Sequence, residues 1–315
     1  MIRTENLTMR FGDHLAVDRL DLDVRTGEIY GFLGPNGAGK TTTIHMALNL
    51  QQPTSGQVFV FGEPLAPGSF AFRQRVGVVA EEPAELSRLT GWELVRYFAR
   101  LCAVDRPEPR MDELFHTLDL WDFRDAAARG YSRGMRQKLS LIRALVHEPD
   151  LLILDEPVSG LDPHGIRQVR ETIDTYRTNG GTVFISSHIL SEIERSADRV
   201  GILHQGRLLI EDTLDGVRRR IGPGRRFVVE VDNVPPALEA CLRDEPLVLE
   251  LTVPPGGREL QMILDDRDDA RPAISTIITA SGATILGMRS EEISLEEAFV
   301  TITNQNVNRL AGTDA

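Results

Sequence analysis

The sequence predicts an α/β fold followed by a smaller α+β domain. Over the first two thirds of the chain, short apolar runs typical of buried strands precede segments with helical periodicity. A Gly/Pro-rich and basic stretch at residues 216–226 then interrupts this pattern, as a linker between domains does. Beyond it, strand and helix patterns follow in the order β-α-β-β-α-β, which is the split ferredoxin-like plan.

Length and composition limit the class of protein. The chain has 315 residues, 41% of them hydrophobic, so it can bury a full core and is expected to hold two domains. Its net charge of −12 argues against a nucleic-acid-binding protein, since the phosphate backbone would repel it. Cys102 and Cys241 have no metal-binding or redox spacing, which favours a reduced, cytosolic compartment. The N-terminal residues lack the apolar stretch of a signal peptide, and no apolar run predicts a transmembrane helix.

The first strands are predicted from side-chain alternation. Residues 2–32 alternate apolar and polar side chains, and residues 58–61 form another apolar run. Such alternation is typical of strands joined in hairpins. Phe11 is expected in the first loop of this region, where its ring could stack on a base, although a single Phe is more often part of a core.

A glycine-rich loop connects a predicted buried strand at residues 28–33 to a predicted helix at residues 42–50. Its glycines allow the backbone to curl so that N–H groups point inward, and the helix N terminus adds positive potential for binding phosphate. Lys40 would reach the β- and γ-phosphates of a nucleotide, and the Thr41 hydroxyl would bind Mg²⁺. The loop fits the pattern G-x-x-x-x-G-K-[ST] at every fixed position and consists of Gly34, Pro35, Asn36, Gly37, Ala38, Gly39, Lys40, Thr41 and Thr42.

Two carboxylates follow a strongly apolar strand in the middle of the chain. The predicted elements here are a strand at 75–80, helical structure over 91–149 with one helix at 139–147, and a continuous apolar strand at 151–154. This last strand ends at Asp155 and Glu156. Ligands bind at the carboxyl ends of strands in a parallel sheet, so Asp155 would hold Mg²⁺ and Glu156 would orient and deprotonate an attacking water. The two acids could alternatively cap the next turn.

A histidine follows the third apolar strand. Residues 182–186 form this predicted strand, which ends just before Ser187 and His188. A side chain in this place could touch a γ-phosphate. Of the seven histidines in the sequence, His188 is the only one that is predicted to follow a strand in this way. A lone histidine is more often an incidental surface or packing residue, so this assignment depends on the other motifs.

Together these segments resemble the nucleotide-binding subunits of ABC transporters over about residues 2–215. The resemblance implies a phosphate-loop NTPase domain with a mixed sheet core, an antiparallel β subdomain and a helical subdomain. The motifs of that family occur here in the same order, namely the phosphate loop 34–42, Glu81 where the family usually has Gln, the signature 131–135, Asp155 and Glu156, the aspartate loop 159–162, and His188.

Several site residues follow only from this resemblance. The signature reads Tyr-Ser-Arg-Gly-Met instead of Leu-Ser-Gly-Gly-Gln, and it retains Ser132 and Gly134, which in the family contact the γ-phosphate bound by a second copy. Asp162 belongs to the nucleotide site of such a pair, and Phe11 falls where the family stacks an aromatic ring on adenine. Glu81 keeps an oxygen that could face the metal or the water, but it lacks the amide donor of Gln.

The resemblance also implies a function, an ATPase that uses ATP and Mg²⁺. ATP would join two ATPase subunits, identical copies or paralogues, and hydrolysis would drive a separate transmembrane permease from the cytoplasmic face of the membrane. The form of the signature resembles that of drug and antibiotic exporters of the daunorubicin-resistance type, so a drug, antibiotic or lipid-like substrate is expected. The alternatives are a non-transport ABC ATPase that acts on nucleic acid or ribosomes, and a module that only binds nucleotide.

The C-terminal third carries no catalytic constellation. Many exporter ATPases of the resembled type have such an appendage, for which a role in dimer contact or regulation is expected. Ser294 and Glu297 have the spacing of a capping box and predict a last helix. The predicted organisation is an ATP-binding domain at 1–215, a linker at 216–226, an accessory α+β domain at 227–303 and a flexible tail at 304–315.

Overall fold

The computed structural model describes residues 1–82, 88–221, 225–254, 257–264, 269–291, 296 and 299–300. The chain divides into two compact units, Met1–Leu214 and Asp215–Ala315. Within the described residues, none of the helices combines the length and the apolar character needed to cross a membrane. The capping box predicted at Ser294 and Glu297 and the tail predicted at 304–315 lie outside the described residues.

The first unit is built from two sheets and the helices that join their strands. One sheet is six-stranded and mixed, and the other is four-stranded and antiparallel. Along the chain the elements are β1 (Ile2–Phe11), β2 (His14–Val24), β3 (Ile29–Leu33), α1 (Lys40–Ala47), β4 (Ser55–Val60), β5 (Glu63–Pro64), β6 (Val76–Val79), α2 (Gly91–Leu101), α3 (Glu108–Thr117), α4 (Arg133–Leu145), β7 (Leu151–Asp155), α5 (Pro163–Thr178), β8 (Thr182–Ser187), α6 (Leu190–Glu194), β9 (Arg199–His204) and β10 (Arg207–Thr213).

The six-stranded sheet is the core that positions the site. Its strand order is β10-β9-β3-β8-β7-β6, with β10 antiparallel to β9 and the other strands parallel. Every residue of β3, β7 and β8 is buried, as continuous apolar runs in parallel strands predict. The mixed sheet core expected from the resemblance is confirmed.

The register of the parallel strands brings the motif residues to one edge of this sheet. Leu33 at the end of β3 pairs with Ser187 of β8, and Asp155 at the end of β7 pairs with Ser186. The phosphate loop follows β3 directly, and His188 follows β8. These segments therefore leave the sheet side by side at its carboxyl edge, where ligands bind in such folds.

The antiparallel sheet has the order β2-β1-β4-β5 and shares a buried core with α1 and the central strands. The expectation that Phe11 lies in a loop is wrong, because Phe11 is the last residue of β1 and pairs with His14. Its side chain is 48% exposed, so it does not belong to the core either. The strand continues because β1 and β2 pair as far as the turn at Gly12, whose φ is +57°.

Helix α4 begins earlier than the sequence predicts. The apolar periodicity favours a helix from residue 139, whereas the helix starts at Arg133. Ser132 is its N-cap, and the Ser132 hydroxyl accepts a hydrogen bond from the Met135 N–H at 3.2 Å. A serine cap offsets the low helix propensity of Gly134 in the first turn, so the helix starts within the signature motif itself.

The second unit is an α+β domain. Its elements are α7 (Leu214–Ile221), which begins at the boundary, β11 (Arg225–Val231), α8 (Pro236–Arg243), β12 (Val248–Thr252), β13 (Glu259–Leu264), α9 (Arg271–Ala280) and β14 (Ile285–Glu291). The strands form an antiparallel sheet in the order β12-β13-β11-β14. One face packs against buried side chains of α8 and α9, so the β-α-β-β-α-β order from β11 to β14 is the split ferredoxin-like plan predicted from the sequence.

The linker predicted at residues 216–226 is largely regular structure. Helix α7 continues to Ile221, and β11 begins at Arg225. Arginine is a good helix former, and the Asp215 carboxylate lies 3.4 Å from the Arg218 guanidinium one turn later. The basic run therefore favours a helix, and the described residues of the predicted linker, 216–221 and 225–226, belong to α7 and β11.

Close packing of α4 on β6 gives a stability prediction. A Cβ on Gly77 would collide with the carbonyl oxygen of Ala144 and meet Leu152 Cδ1 at 2.9 Å. Gly77→Ala should lower the free energy of unfolding by about 1–3 kcal/mol, measured by chemical denaturation. Gly130→Ala is the matched control, because a Cβ there meets nothing within 4 Å. Equal stability of the two variants would contradict this packing.

His147, just after α4, gives a pH prediction. Burial lowers its pKa from the usual 6.5, although Nε2 contacts the Val76 carbonyl oxygen at 3.3 Å. The unfolded chain therefore protonates His147 at a higher pH than the folded chain does. The contribution of neutral His147 to the free energy of unfolding is complete above pH 6.5 and decreases as pH falls towards the pKa of the folded chain. Between about pH 8 and about pH 5.5, the free energy of unfolding should fall more steeply for the parent than for His147→Gln. Parallel curves would contradict the prediction.

Candidate functional site

The phosphate loop links the end of β3 to the start of α1 in a conformation that requires glycine. Gly37 and Gly39 have φ of +79° and +107°, in the left-handed region. A Cβ on Gly39 would also come within 2.5 Å of the Ala16 carbonyl oxygen. Gly39 is the N-cap of α1 and has no side chain to cap the first turn, so the N–H groups of that turn are available to an anion.

Lys40 lies across this loop and is 6% exposed. Its ammonium donates hydrogen bonds to the carbonyl oxygens of Gly34 at 2.7 Å and Pro35 at 3.4 Å. The same nitrogen lies 3.5 Å from Glu156 Oε1. The buried cation is thus compensated by the loop backbone and by one carboxylate, at the place where the loop would bind phosphate.

Asp155 is held by two hydroxyl groups. The Thr41 hydroxyl donates to Asp155 Oδ2 at 2.8 Å, and the Ser186 hydroxyl donates to Asp155 Oδ1. The carboxylate is 4% exposed. Carboxylate and hydroxyl oxygens are hard donors of the kind that Mg²⁺ prefers, so Thr41 and Asp155 fit this ion.

The same region does not contain a complete protein-only metal site. Among the described residues, no group of three or more His, Cys, Asp or Glu side chains could hold a metal ion. Mg²⁺ commonly binds through one or two protein oxygens together with substrate phosphates and water. The donor set at Thr41 and Asp155 therefore fits an ion that arrives with a nucleotide.

Glu156 is buried, strained and connected to His188. Its backbone has φ of +49°, unusual for a residue with a side chain. Glu156 Oε2 lies 2.8 Å from His188 Nδ1, while Glu156 Oε1 is buried and has no hydrogen-bond partner. The backbone is fixed from two sides, since its N–H donates to the Ser186 carbonyl at 3.2 Å and its carbonyl accepts from Gln137 Nε2 at 3.4 Å.

The signature and the aspartate loop lie against each other. The Arg133 guanidinium donates to Ser159 Oγ at 2.8 Å and lies across Gly160, where a Cβ would meet Arg133 Cδ at 2.7 Å. The Asp162 carboxylate caps α5 by accepting from the Gly165 N–H at 2.8 Å. In the part of the chain that the structure describes, no hydrogen bond joins Ser132, Gly134 or Asp162 to the phosphate loop.

Two further predicted residues stand at the margin of the site. Glu81 is exposed and lies two residues beyond Val79, which pairs with Leu154, so it shares the edge that carries Asp155. Phe11 is exposed at the end of β1. The structure thus brings Lys40, Thr41, Asp155, Glu156 and His188 into direct contact and leaves Glu81 and Phe11 on the surface.

Sequence reasoning missed two residues that hold the acidic residues in place. Ser186 donates to the Asp155 carboxylate, and Gln137 donates to the backbone carbonyl oxygen of Glu156. Ser186 is completely buried, and Gln137 is 2% exposed. A polar residue inside the apolar run that forms β8 was the available signal for Ser186. For Gln137 the signal was weaker, because the helix was predicted to begin only at residue 139. The sequence therefore did not indicate which way the Gln137 side chain faces.

Comparisons with known proteins agree with this geometry. A family described as ABC transporter matches residues 17–159. The bacitracin transport ATP-binding protein BcrA of Bacillus licheniformis is 43% identical over 70% of this chain and 72% of its own length. The daunorubicin resistance ATP-binding protein DrrA3 of Streptomyces coeruleorubidus is 33% identical over 97% of this chain and 96% of its own. A solved ATP-binding subunit of an ABC transporter aligns with a TM-score of 0.67 at 31% identity, covering 70% of this chain and 93% of that one.

The extent of these matches decides the family. The similarity to DrrA3 runs through both units of the chain, and the solved structure covers most of the first. The phosphate loop and the buried acids lie within the matched residues 17–159 and have the geometry described above. The chain therefore belongs to the ABC transporter family, as one of its ATP-binding and ATP-hydrolysing subunits.

Proposed function

We propose that this subunit couples ATP hydrolysis to export of an antibiotic or a related drug-like or lipid-like compound through a separate transmembrane permease. The names of two relatives, which refer to bacitracin transport and daunorubicin resistance, support an export substrate of this class. A separate permease would supply the membrane passage. In this proposal the subunit is attached through that permease to the cytoplasmic face of the membrane.

The phosphate loop and Lys40 bind the β- and γ-phosphates in this proposal. The Lys40 ammonium donates to Gly34 and Pro35 carbonyls, contacts that phosphate oxygens can replace. Other N–H groups of the loop and of the start of α1 supply further donors. Mg²⁺ would be held by Thr41 and Asp155, with Glu81 at the same edge of the sheet, and it would neutralise phosphate charge.

The observation that carries the proposal is Glu156 Oε1, which lies 3.5 Å from the Lys40 ammonium but has no hydrogen-bond partner. A buried carboxylate oxygen without a hydrogen-bond donor is unusual and is ready to accept one. We assign that donor as the attacking water, from which Glu156 takes a proton as the oxygen bonds to the γ-phosphorus. The bond to the bridging oxygen of the β-phosphate then breaks, which releases ADP and phosphate. His188 holds Oε2 and orients the glutamate.

A second subunit, identical or paralogous, completes the nucleotide site in this proposal. Ser132 is exposed at the N terminus of α4, and Gly134 follows it in the first turn, so both can face a γ-phosphate bound elsewhere. Asp162 is the N-cap of α5, in the loop whose Gly160 carbonyl oxygen lies 3.5 Å from the Cβ position of Gly134. Phe11, exposed at the end of β1, would stack on adenine. ATP would then hold two subunits together, and loss of the γ-phosphate would release them.

We also propose separate functions for the two units of the chain. Residues 1–215 would bind and hydrolyse ATP, while residues 227–303 would serve dimer contact or regulation. The ferredoxin-like unit has its own buried core, which supports an independent accessory role. The similarity between this chain and DrrA3 covers 97% of this chain, which also supports the same two-unit organisation in both proteins.

Glu156→Gln tests the assignment of the base. The variant should bind ATP as the parent does but hydrolyse it at least about 100-fold more slowly, because the amide cannot take the proton. It should also accumulate as an ATP-bound dimer, measured by size-exclusion chromatography with light scattering. Glu171→Gln, on the exposed side of α5, is the control and should keep the parent rate. Parental turnover in Glu156→Gln would refute the assignment.

Export can be tested in a host that is sensitive to bacitracin and anthracyclines. The chain is co-expressed with the permease encoded beside it, recognised by about six apolar stretches of roughly 20 residues. Cells with both proteins should tolerate several-fold more of one of these compounds than cells with either protein alone. The Glu156→Gln variant should remove this tolerance. Tolerance that persists with Glu156→Gln, or that the pair never confers, would contradict ATP-driven export.

A further inference from the structure

We propose that Ser186 is a positioning residue of the ATPase site, whose buried hydroxyl sets the orientation in which Asp155 meets Mg²⁺. The inference rests on the function proposed above and concerns a residue outside the motifs that predict it. Ser186 is the penultimate residue of β8 and is completely buried. Its partner across the parallel ladder is Asp155 itself.

The hydrogen bonds of this one hydroxyl are directed at the two acidic residues. It donates its hydrogen to Asp155 Oδ1 and accepts the Glu156 N–H at 3.3 Å. The Ser186 carbonyl oxygen accepts the same N–H at 3.2 Å. A serine hydroxyl has one hydrogen to donate, and here a buried carboxylate receives it.

Occupation of Oδ1 leaves Asp155 a single orientation. With Ser186 on one oxygen, the other oxygen faces the Thr41 hydroxyl at 2.8 Å, towards the phosphate loop. Without the Ser186 hydroxyl, the carboxylate would lose one of its two hydroxyl partners and could turn about its side-chain bond. Groups that orient a metal-binding side chain in this way commonly change metal affinity by about tenfold or more when removed.

The prediction is therefore specific to Mg²⁺. Lys40 and the loop glycines do not contact Ser186 through any hydrogen bond of the described residues, so phosphate binding without metal should be intact. A role limited to satisfying a buried hydroxyl would lower stability and leave the Mg²⁺ requirement unchanged. The two roles are separated by measuring nucleotide affinity with and without the metal.

The experiment compares the parent with Ser186→Ala, Ser186→Cys and Thr172→Val. Thr172 is the matched control, since its buried hydroxyl donates only to the Gln168 carbonyl within its own helix, at 2.8 Å. Affinity for a non-hydrolysable ATP analogue is measured by calorimetry in EDTA and across a Mg²⁺ series. Thermal unfolding is recorded for each protein.

In EDTA all four proteins should bind the analogue alike. Ser186→Ala should need about tenfold more Mg²⁺ than the parent for the half-maximal gain in affinity. Ser186→Cys, with a weaker donor of similar shape, should fall between the two, and Thr172→Val should match the parent. The Mg²⁺ concentration for half-maximal ATPase rate should shift in the same order.

A parental Mg²⁺ requirement in Ser186→Ala would overturn the inference, as would an equal loss of affinity in EDTA and in Mg²⁺. If Ser186→Ala does not fold, Ser186→Cys decides the question by the same criterion. Absence of ATPase activity in the parent would count against the proposed function, whereas the binding series would still decide the role of Ser186.

Discussion

The hydrogen bond from Thr41 to Asp155 joins the first turn of α1 to the end of β7, across 114 residues of sequence. It can form only because β3, β8 and β7 are parallel neighbours in register, so that their carboxyl ends meet. Completely buried strands make this register costly to change, since a slip would expose apolar side chains or bury unpaired polar groups. The geometry of the site is thus a consequence of the packing of the central sheet.

The same edge concentrates charge away from water. Lys40, Asp155 and Glu156 are exposed by 6%, 4% and 4%, and burial of charges is unfavourable unless each is paired or hydrogen-bonded. The loop carbonyls, Thr41 and Ser186 provide much of that compensation. One negative charge remains in excess among the three residues, which favours a substrate that brings a cation with its phosphates. The unusual φ of Glu156 adds local strain that the β8 contacts offset.

The features of the site that could be predicted from the sequence are those formed by residues that are close together along the chain. The phosphate loop between Gly34 and Thr42 is contiguous, and Asp155, Glu156 and His188 directly follow apolar runs, so strand ends located them. The start of α4 at Arg133 and the helix α7 depend on a cap and on side-chain pairs, which periodicity does not register. Ser186 acquires its role only through pairing with β7, and that partner is set by tertiary structure.

The departure of the signature from its usual form shows how such a substitution acts. Arg133 stands where the usual signature has glycine. Its guanidinium donates to Ser159 Oγ and covers Gly160. Gly160 has φ of +76° and no side chain, so the arginine has room there. A side chain at Gly160 would displace the arginine or the loop. Asp162, two residues after Gly160, caps α5, so the contact joins the first turn of α4 to the loop that leads into α5. Arg133, a residue that departs from the usual signature, is therefore also the residue that ties this segment to its neighbouring loop.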